Sequence, residues 1–495
     1  MRISSNTIFD SNVAALNQQQ ARLLQTQQQI ASGRRILAAS DDPVAATRIL
    51  DITQSDAINT QYAINRREAR HTLSLAESTL QSVTSLIHDV RTATVNAGNG
   101  SLNNSDRKTI ASDFTGRLQE LIGLANSTDG AGNYLFAGFQ SRTLPFAGTA
   151  AGVGYFGDDG QRLVQVSASR QIDSTNSGAD VFMRVKNGNG TFIAQAASTN
   201  TGSGIVSSGS VSNPALLTGD SYTLAFAGPT AQAAGANTGN GVISTPTVVA
   251  PASVTGNDYS IAFSVVLGVT TYDVTNTTTG LPVSGMTAQP YVSGQAIIFD
   301  GLQFNIKDTP LPPANGDTFT VSSPGYIVTN STTLATVLPV PPVTGRVPYI
   351  SGQTISFDGM QVDIQGTPAS GDSFSISPSV NESIFKTVAD LIAALNAPAA
   401  GASLTNSLNR GLNHLDNALN NVLTTRSSLG LRLNEVDALQ VTGEDLGLQL
   451  KQTLSGLQDV DYNQSISDLT LQQTTLQAAQ KSFVKVSDLS LFDYI

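Results

Sequence analysis

The chain has 495 residues, no cysteine, no tryptophan, three histidines and a net charge of −11, with 13% charged residues. Without cysteine there is no disulfide framework, thiol nucleophile or thiolate metal site. The acidic balance argues against nucleic acid, which needs clustered Lys and Arg. No apolar run approaches the ~18 residues of a membrane span, and the N-terminus lacks the apolar core of a secretory signal. The expectation is a chain that stays in the cytosol or leaves the cell without a cleaved signal.

Near the N-terminus Leu16, Leu23, Ile30 and Leu37 recur every seven residues within a Gln-rich segment. Four such side chains, fully buried, yield only ~6–12 kcal/mol, while ordering the backbone costs ~1–2 kcal/mol per residue. This segment is expected to be disordered in the monomer until a partner covers its stripe. Ser32-Gly33-Arg34 forms a loop, and Asp42 then caps a helix with Pro43 at its first position. That helix meets no strong breaker before Gly98, and Ala69, Leu73, Ala76, Leu80, Val83, Ile87 and Val90 line one face. About 54 residues at ~1.5 Å each make a rod of ~80 Å. Ser105 or Asp106 caps a second helix ending before Asp129-Gly130, and Asn133–Gly138 reads as a strand.

From about Pro145 to Pro378 the sequence turns rich in Gly, Thr, Ser and Val. It contains a divergent duplication: Tyr272–Asn276 recurs as Tyr326–Asn330, Tyr291–Gln295 as Tyr349–Gln353, Phe299-Asp300-Gly301 as Phe357-Asp358-Gly359, and Gly316–Phe319 as Gly371–Phe374. Each Asp-Gly predicts a two-residue hairpin turn, and the flanking alternation predicts half-buried antiparallel strands. The region reads as one or two β-subdomains, with a smaller first one near 146–205.

Helical signals resume at Ser383. Leu408, Leu412, Leu415, Leu419, Val422, Arg426, Leu429, Leu433 and Val436 form a heptad,. Gly443 and Gly447 weaken the helix beyond it. Ile466, Leu469, Leu476, Ala479, Phe483 and Val486 form a terminal stripe. Residues 1–37 carry four arginines against one aspartate, and 442–495 three lysines against seven acids. These opposite signs favour pairing of the two ends; ordinary solvated helix faces would carry the same charges.

The predicted fold is therefore α+β and multidomain. A long antiparallel helical rod or coiled coil is built from both chain ends, with inserted antiparallel β-subdomains. Residues 1–42 and 455–495 are the terminal helices, 43–145 and 380–454 the rod, and 146–379 the β-rich insert, with a tandem repeat at 272–319 and 326–374. Leu16, Leu23, Ile30, Leu37, Ile466, Leu469, Leu476, Phe483 and Val486 are the candidate assembly interface. The competing possibility is that these stripes pack within one monomeric bundle.

Chemistry is absent from the pattern. His71, His88 and His414 have no His or carboxylate at the i+4 spacing that a helical metal site would use. Asp41-Asp42 precede a proline and read as capping residues. Asp158-Asp159-Gly160 reads as a turn, with calcium binding the weaker alternative. Asn187–Gly190 lacks the Lys-Ser/Thr of a phosphate loop. No catalytic residue, cofactor or metal is expected.

Ile30-Ala-Ser-Gly-Arg-Arg-Ile-Leu-Ala-Ala-Ser-Asp-Asp-Pro-Val-Ala-Ala46 resembles the N-terminal signature of bacterial flagellins and flagellar hook-associated proteins. Asn65 with Leu73–Leu80 resembles the next block of that family, and Arg426–Asn434 its C-terminal helical signature. Met1-Arg-Ile-Ser-Ser5 and Gly132–Gly138 followed by Pro145-Phe146 are more similar to the junction members of the family than to flagellin. Asn65-Arg66-Arg67-Glu68 and Leu75-Ala76-Glu77 stand where flagellins usually carry other blocks.

The resemblance implies a non-enzymatic structural subunit of the bacterial flagellum, an adaptor at the hook–filament junction. Its implied partners are hook-associated protein 1, flagellin, further copies of itself in a ring or short helical layer, and an export chaperone on the C-terminal segment. It implies secretion in an unfolded state through the flagellar channel. The alternative is flagellin itself, the bulk filament subunit. A third possibility, an adhesive or glycan-binding β insert on a helical stalk, lacks an aromatic cluster to mark a sugar site.

Overall fold

The computed structural model describes residues 5–341, 345–397 and 401–488, without the side chains of 5, 6, 8 and 486–488. Six α-helices lie among the described residues: α1 Ser5–Ser32, α2 Pro43–Ala97, α3 Asn104–Ala125, α4 Ile384–Asn396, α5 Ala402–Gln458 and α6 Tyr462–Asp488. Contacts divide the chain into one unit of Met1–Ser74, Leu163–Ser174 and Leu431–Ile495, and another of Leu75–Arg162 and Thr175–Gly430.

The first unit holds α1, α6, the adjoining parts of α2 and α5, and the hairpin Leu163–Ser167/Arg170–Asp173. Asp42 caps α2 as its position predicts: its carboxylate accepts the Ala45 N–H at 3.0 Å,. Its neighbour Asp41 accepts the Leu37 and Ala38 N–H groups at 3.0 and 2.9 Å, folding the loop before the cap. Helix α1 stops at Ser32 because Gly33 takes φ +72°,. The heptad spacing that reaches Leu37 therefore outruns its helix, and Leu37 lies in the loop.

Helix α5 runs unbroken through Gly443 and Gly447, against the expectation of a weak point. Those glycines make room for polar side chains of α2. Asn59 Nδ2 donates to the Gly443 carbonyl at 2.8 Å. Arg66, 2% exposed, donates from Nε to Gln440 and from Nη1 to the Val166 carbonyl, both at 2.9 Å. Asn65 Nδ2 reaches the Gln165 carbonyl at 2.8 Å, so α2 and α5 hold the hairpin between them.

The second unit has a helical part and a β part. The faces read from the heptads are its core: Leu80, Val83, Ile87 and Val90 on α2, and Leu415, Val422 and Leu429 on α5, are 0–1% exposed. Arg426, the polar break in that heptad, donates from Nη2 to Glu77 Oε1 at 2.7 Å. Helix α3 starts two or three residues earlier than its Ser or Asp suggests. Asn103 is the N-cap and Asp106 completes a capping box with it,. Asn133–Gly138 is not a strand; it makes only isolated bridges, because Gly132 and Gly138 at φ +87° and +70° turn the chain at both ends. Its Leu135, Phe136 and Ala137 are nonetheless buried, and Phe136 joins Phe146, Phe182 and Phe385 in one aromatic cluster.

The β part consists of two copies of one module, and the repeat is nested rather than tandem. A guest module spans residues 230–322. The host module is built from 192–227 and 325–378, so the guest sits inside it. In the guest one sheet has the order Thr230–Ala233, Thr318–Ser322, Asp258–Val266, Val269–Asn276, Leu281–Pro282. The host repeats it as Phe192–Ala196, Ser373–Pro378, Tyr222–Ala227, Gly325–Asn330, Thr336–Leu338.

The second sheets match as well. Leu302–Lys307 pairs with Val242–Ile243, Thr247–Val248 and Ala296–Phe299, and Met360–Gln365 pairs with Ile205–Val206, Ser210–Val211 and Thr354–Phe357. Each module has its own core, centred on Ile261, Val274, Ile306 and Phe319 in the guest and on Leu224, Val328, Ile364 and Phe374 in the host. The predicted Asp-Gly hairpin turns are present, with Asp300 and Asp358 at φ 49° and 42°,.

Candidate assembly interface

Helices α1 and α6 pair antiparallel. Phe9 and Phe483 pack with tilted rings, centroids 5.2 Å apart, near one end. At the other end Arg34 and Asp459 form a β-bridge. There the Arg35 N–H donates to the Gln458 carbonyl at 2.7 Å, and the Val460 N–H to the Gly33 carbonyl at 3.0 Å. The Arg35 side chain adds a bond from Nη2 to the Leu457 carbonyl at 3.0 Å. The loop after α1 and the turn between α5 and α6 are thus zipped by backbone. Among the described residues no ion pair joins the two oppositely charged ends.

The facing positions on α1 are Leu16, Gln19, Leu23, Thr26 and Ile30, in steps of 3 and 4. Those on α6 are Leu469, Gln472, Leu476, Ala479 and Phe483. This is an a/d seam in which every second layer is polar or small. Thr26, at 8% exposure, is buried in it; the leucines, Ile30 and Phe483 are only half-buried. The register set by the two ends brings Gln19 level with Gln472, and both side-chain carbonyls are buried without a hydrogen-bond partner.

The structure thus brings Leu16, Leu23, Ile30, Leu469, Leu476 and Phe483 to one seam. Leu37 is outside the helix, and Ile466 points away from the seam at 52% exposure. Val486 lies outside the residues whose side chains are described. Phe9, one heptad before Leu16, is 51% exposed, and Leu24, Leu471 and Val484, which the seven-residue spacing does not mark, are 55–65% exposed on the same helices.

Elsewhere, His71 and His88 are exposed. His414 is buried, with Nδ1 3.0 Å from Glu382 Oε1. That partner comes from a segment 32 residues away, out of reach of any local spacing rule. Asp158 Oδ1 accepts the Phe139 and Gly160 N–H groups at 2.8 Å, and Asp159 pairs with Arg184 at 2.6 Å. Among the described residues no group of three or more His, Cys, Asp or Glu is placed to hold a metal ion, and no helix is long and apolar enough to cross a membrane.

Helical regions thus stand at both chain ends, with the terminal helices paired antiparallel and the β-modules lying between them in the sequence. Residues 3–141 match the bacterial flagellin N-terminal helical region, and residues 412–495 the bacterial flagellin C-terminal helical region. The chain is similar to flagellar hook-associated protein 3 of Salmonella typhimurium, 37% identical over 182 residues, which cover 37% of this chain and 57% of that relative. It therefore matches little more than half of that relative's length. The solved structure of flagellar hook-associated protein-3 from Legionella pneumophila has a TM-score of 0.56 at 28% identity, covering 83% of this chain and 98% of that one. Flagellin of Listeria monocytogenes is more distant, 26% identical over 129 residues, 26% of this chain and 45% of that relative. The chain thus resembles hook-associated protein 3 more closely than flagellin.

Proposed function

We propose that this chain is a structural subunit of the bacterial flagellum, an adaptor at the hook–filament junction that links hook-associated protein 1 to the flagellin filament. One observation carries this reading. The terminal helices pair along their length, yet their seam leucines stay half-buried and Leu24, Ile466, Leu471 and Val484 stay 52–65% exposed. Each square ångström of such surface covered by a neighbour contributes ~25 cal/mol. A second copy presents the same uncovered faces, so copies assemble side by side in a ring or short helical layer. The chain is not an enzyme; its work is to fit two different neighbours at the two edges of that layer.

Export in an unfolded state through the flagellar channel, with no cleaved signal, accords with a chain that needs no disulfide. An export chaperone on the C-terminal segment would cover the α6 stripe before assembly. The alternative is flagellin, whose described helical regions match both ends of this chain.

Deletion of the chain tests the assignment. The expected phenotype is intact hooks with flagellin shed, unattached, into the medium; attached filaments in the deletion strain would overturn it. Abundance separates the alternative, since a filament protein dominates sheared flagella and a junction protein is scarce. Leu23→Asp or Leu476→Asp should abolish filament attachment while leaving helicity largely intact.

A further inference from the structure

Because host and guest are copies of one module, each wall of the junction between them has a counterpart elsewhere. The junction holds a half-open cavity of about 370 Å³. The host supplies Phe226, Pro348, Tyr349, Ile350 and Pro368, and the guest supplies Val248, Pro251, Ala252 and Val254. Strand pairing and a matching 3₁₀ turn put the host's own Val211, Pro214, Ala215 and Leu217 in the places of those four guest residues. The same correspondence puts the guest's Phe263, Pro290, Tyr291, Val292 and Pro313 in the places of the five host residues. On the host, that end of the module carries the guest. On the guest it carries only a hairpin tip.

The tip breaks a local rule. Val266, Leu267, Val269 and Val292 are 57–100% exposed, with Leu267 fully so. The Tyr291 N–H donates to the Thr270 carbonyl at 3.0 Å, which sets Val292 beside the tip. Leu267 holds φ 51° in a two-residue turn, a place that favours Asn, Asp or Gly. The modules' other tight turns put Asp300 and Asp358 there. A leucine in a left-handed turn, wholly in water, is both strained and poorly solvated, and a partner that buries it accounts for both features. The complementary face on the host is bare too: Leu216 is 56% exposed, where the guest has Ser253.

We propose that the Leu267 end of the guest module docks onto the Pro214–Leu217 face of the host module in a second copy of this chain. The contact repeats between chains the junction that each chain makes within itself. It joins two different surfaces, so every pair leaves one of each free and the contact extends into a row or ring of copies. A patch of four apolar residues falls short of the ~800 Å² per partner of a stable complex. The docking is therefore weak between free chains and strengthened where another contact holds copies side by side.

The absence of cysteine makes single-cysteine variants unambiguous. Full-length Leu267→Cys and Leu216→Cys chains, mixed and oxidised at high concentration, should give a disulfide-linked pair. Its yield should exceed severalfold that of Leu267→Cys with itself, with Ile350→Cys at the cavity rim, or with Val95→Cys, an exposed position on α2. Equal yields in the four mixtures overturn the proposal. So does preference for the self-pair, which means tip-to-tip contact, or for Ile350, which means insertion into the cavity. All four positions are exposed, and unchanged circular dichroism of each variant confirms the fold.

Discussion

The guanidinium of Arg66 fills the space that a side chain at position 443 would need: a Cβ built on Gly443 stands 2.1 Å from Arg66 Nη2. Gly443→Ala should gain ~1 kcal/mol of helix propensity. It would also push the guanidinium off the Val166 carbonyl and Gln440, and hydrogen bonds to a charged group contribute ~1.5–3 kcal/mol. The expected net is a loss of about 1–2 kcal/mol in urea unfolding. In an Arg66→Met background the same substitution should turn neutral or stabilising. A stabilised single variant would remove Arg66 as the reason for the glycine.

The glutamines of the terminal seam set its strength. A buried carbonyl without a partner costs ~1–3 kcal/mol, and Gln19 and Gln472 each hold one in the seam. Trypsin should therefore trim residues ~1–40 and ~455–495 from dilute chains, since a sparse, polar-layered seam opens readily. The double variant Gln19→Leu/Gln472→Leu should slow this trimming severalfold by replacing both orphans with apolar contact. Ends that resist trypsin equally in both proteins would refute the weak-seam account.

What the sequence discloses here depends on where the partner of each residue lies. The faces at 69–90 and 408–436 are legible because their periodicity is local and both halves of the pairing are present. Asp300-Gly301 and Asp358-Gly359 are legible because turn chemistry is local too. Gly443 is not, since propensity sees the helix but not the arginine that crosses it, and His414 is not, since Glu382 comes from another element.

The nested repeat is half legible. Its later half stands out at Tyr272 and Tyr326. Its earlier half, Asn200-Thr-Gly-Ser-Gly-Ile-Val-Ser207 against Asn237-Thr-Gly-Asn-Gly-Val-Ile-Ser244, recurs at a different spacing because the guest interrupts the host. A single-offset comparison therefore misses it. The stripe ending at Leu37 fails for the opposite reason: spacing carries on through Gly33, where the backbone does not.

The Glu382–His414 pair gives the helical core a pH dependence. Burial pushes the Glu382 carboxyl up, but the hydrogen bond and charge of His414, with Lys386 nearby, outweigh it and hold the carboxyl below the usual glutamate range,. A folded-state value below the unfolded one contributes stability above the ordinary glutamate pKa, and that contribution is lost as pH falls through the lowered value. His414→Leu removes a hydrogen-bond partner of the buried carboxylate and leaves it Asn187 and Lys386, which costs ~1–3 kcal/mol,. It should also move the acid-unfolding midpoint, followed by circular dichroism, to higher pH. An unchanged midpoint would show that the pair does not link folding to protonation.

Asp317 and Asp372 are counterparts in the two modules and hold the same loop in each. Asp317 accepts the N–H groups of Thr238, Gly239 and Ala314 at 2.8–2.9 Å, and Asp372 those of Thr201, Gly202 and Ala369 at 2.8–3.0 Å. Both are 2% exposed. At Asp317 burial pushes the carboxyl up, but these backbone donors outweigh it and hold it below the usual aspartate range. Its contribution is therefore present above the ordinary aspartate pKa and lost as pH falls through the lowered value. Asp317→Asn turns an acceptor edge into an amide facing N–H donors and should cost ~2 kcal/mol. Because each module has its own core, hydrogen-exchange protection should fall across residues 230–322 alone. Asp372→Asn should lower it across 192–227 and 325–378, the two separated pieces of the host. Loss spread evenly over both modules in either variant would mean that host and guest unfold as one body, and that the nesting leaves no independent unit.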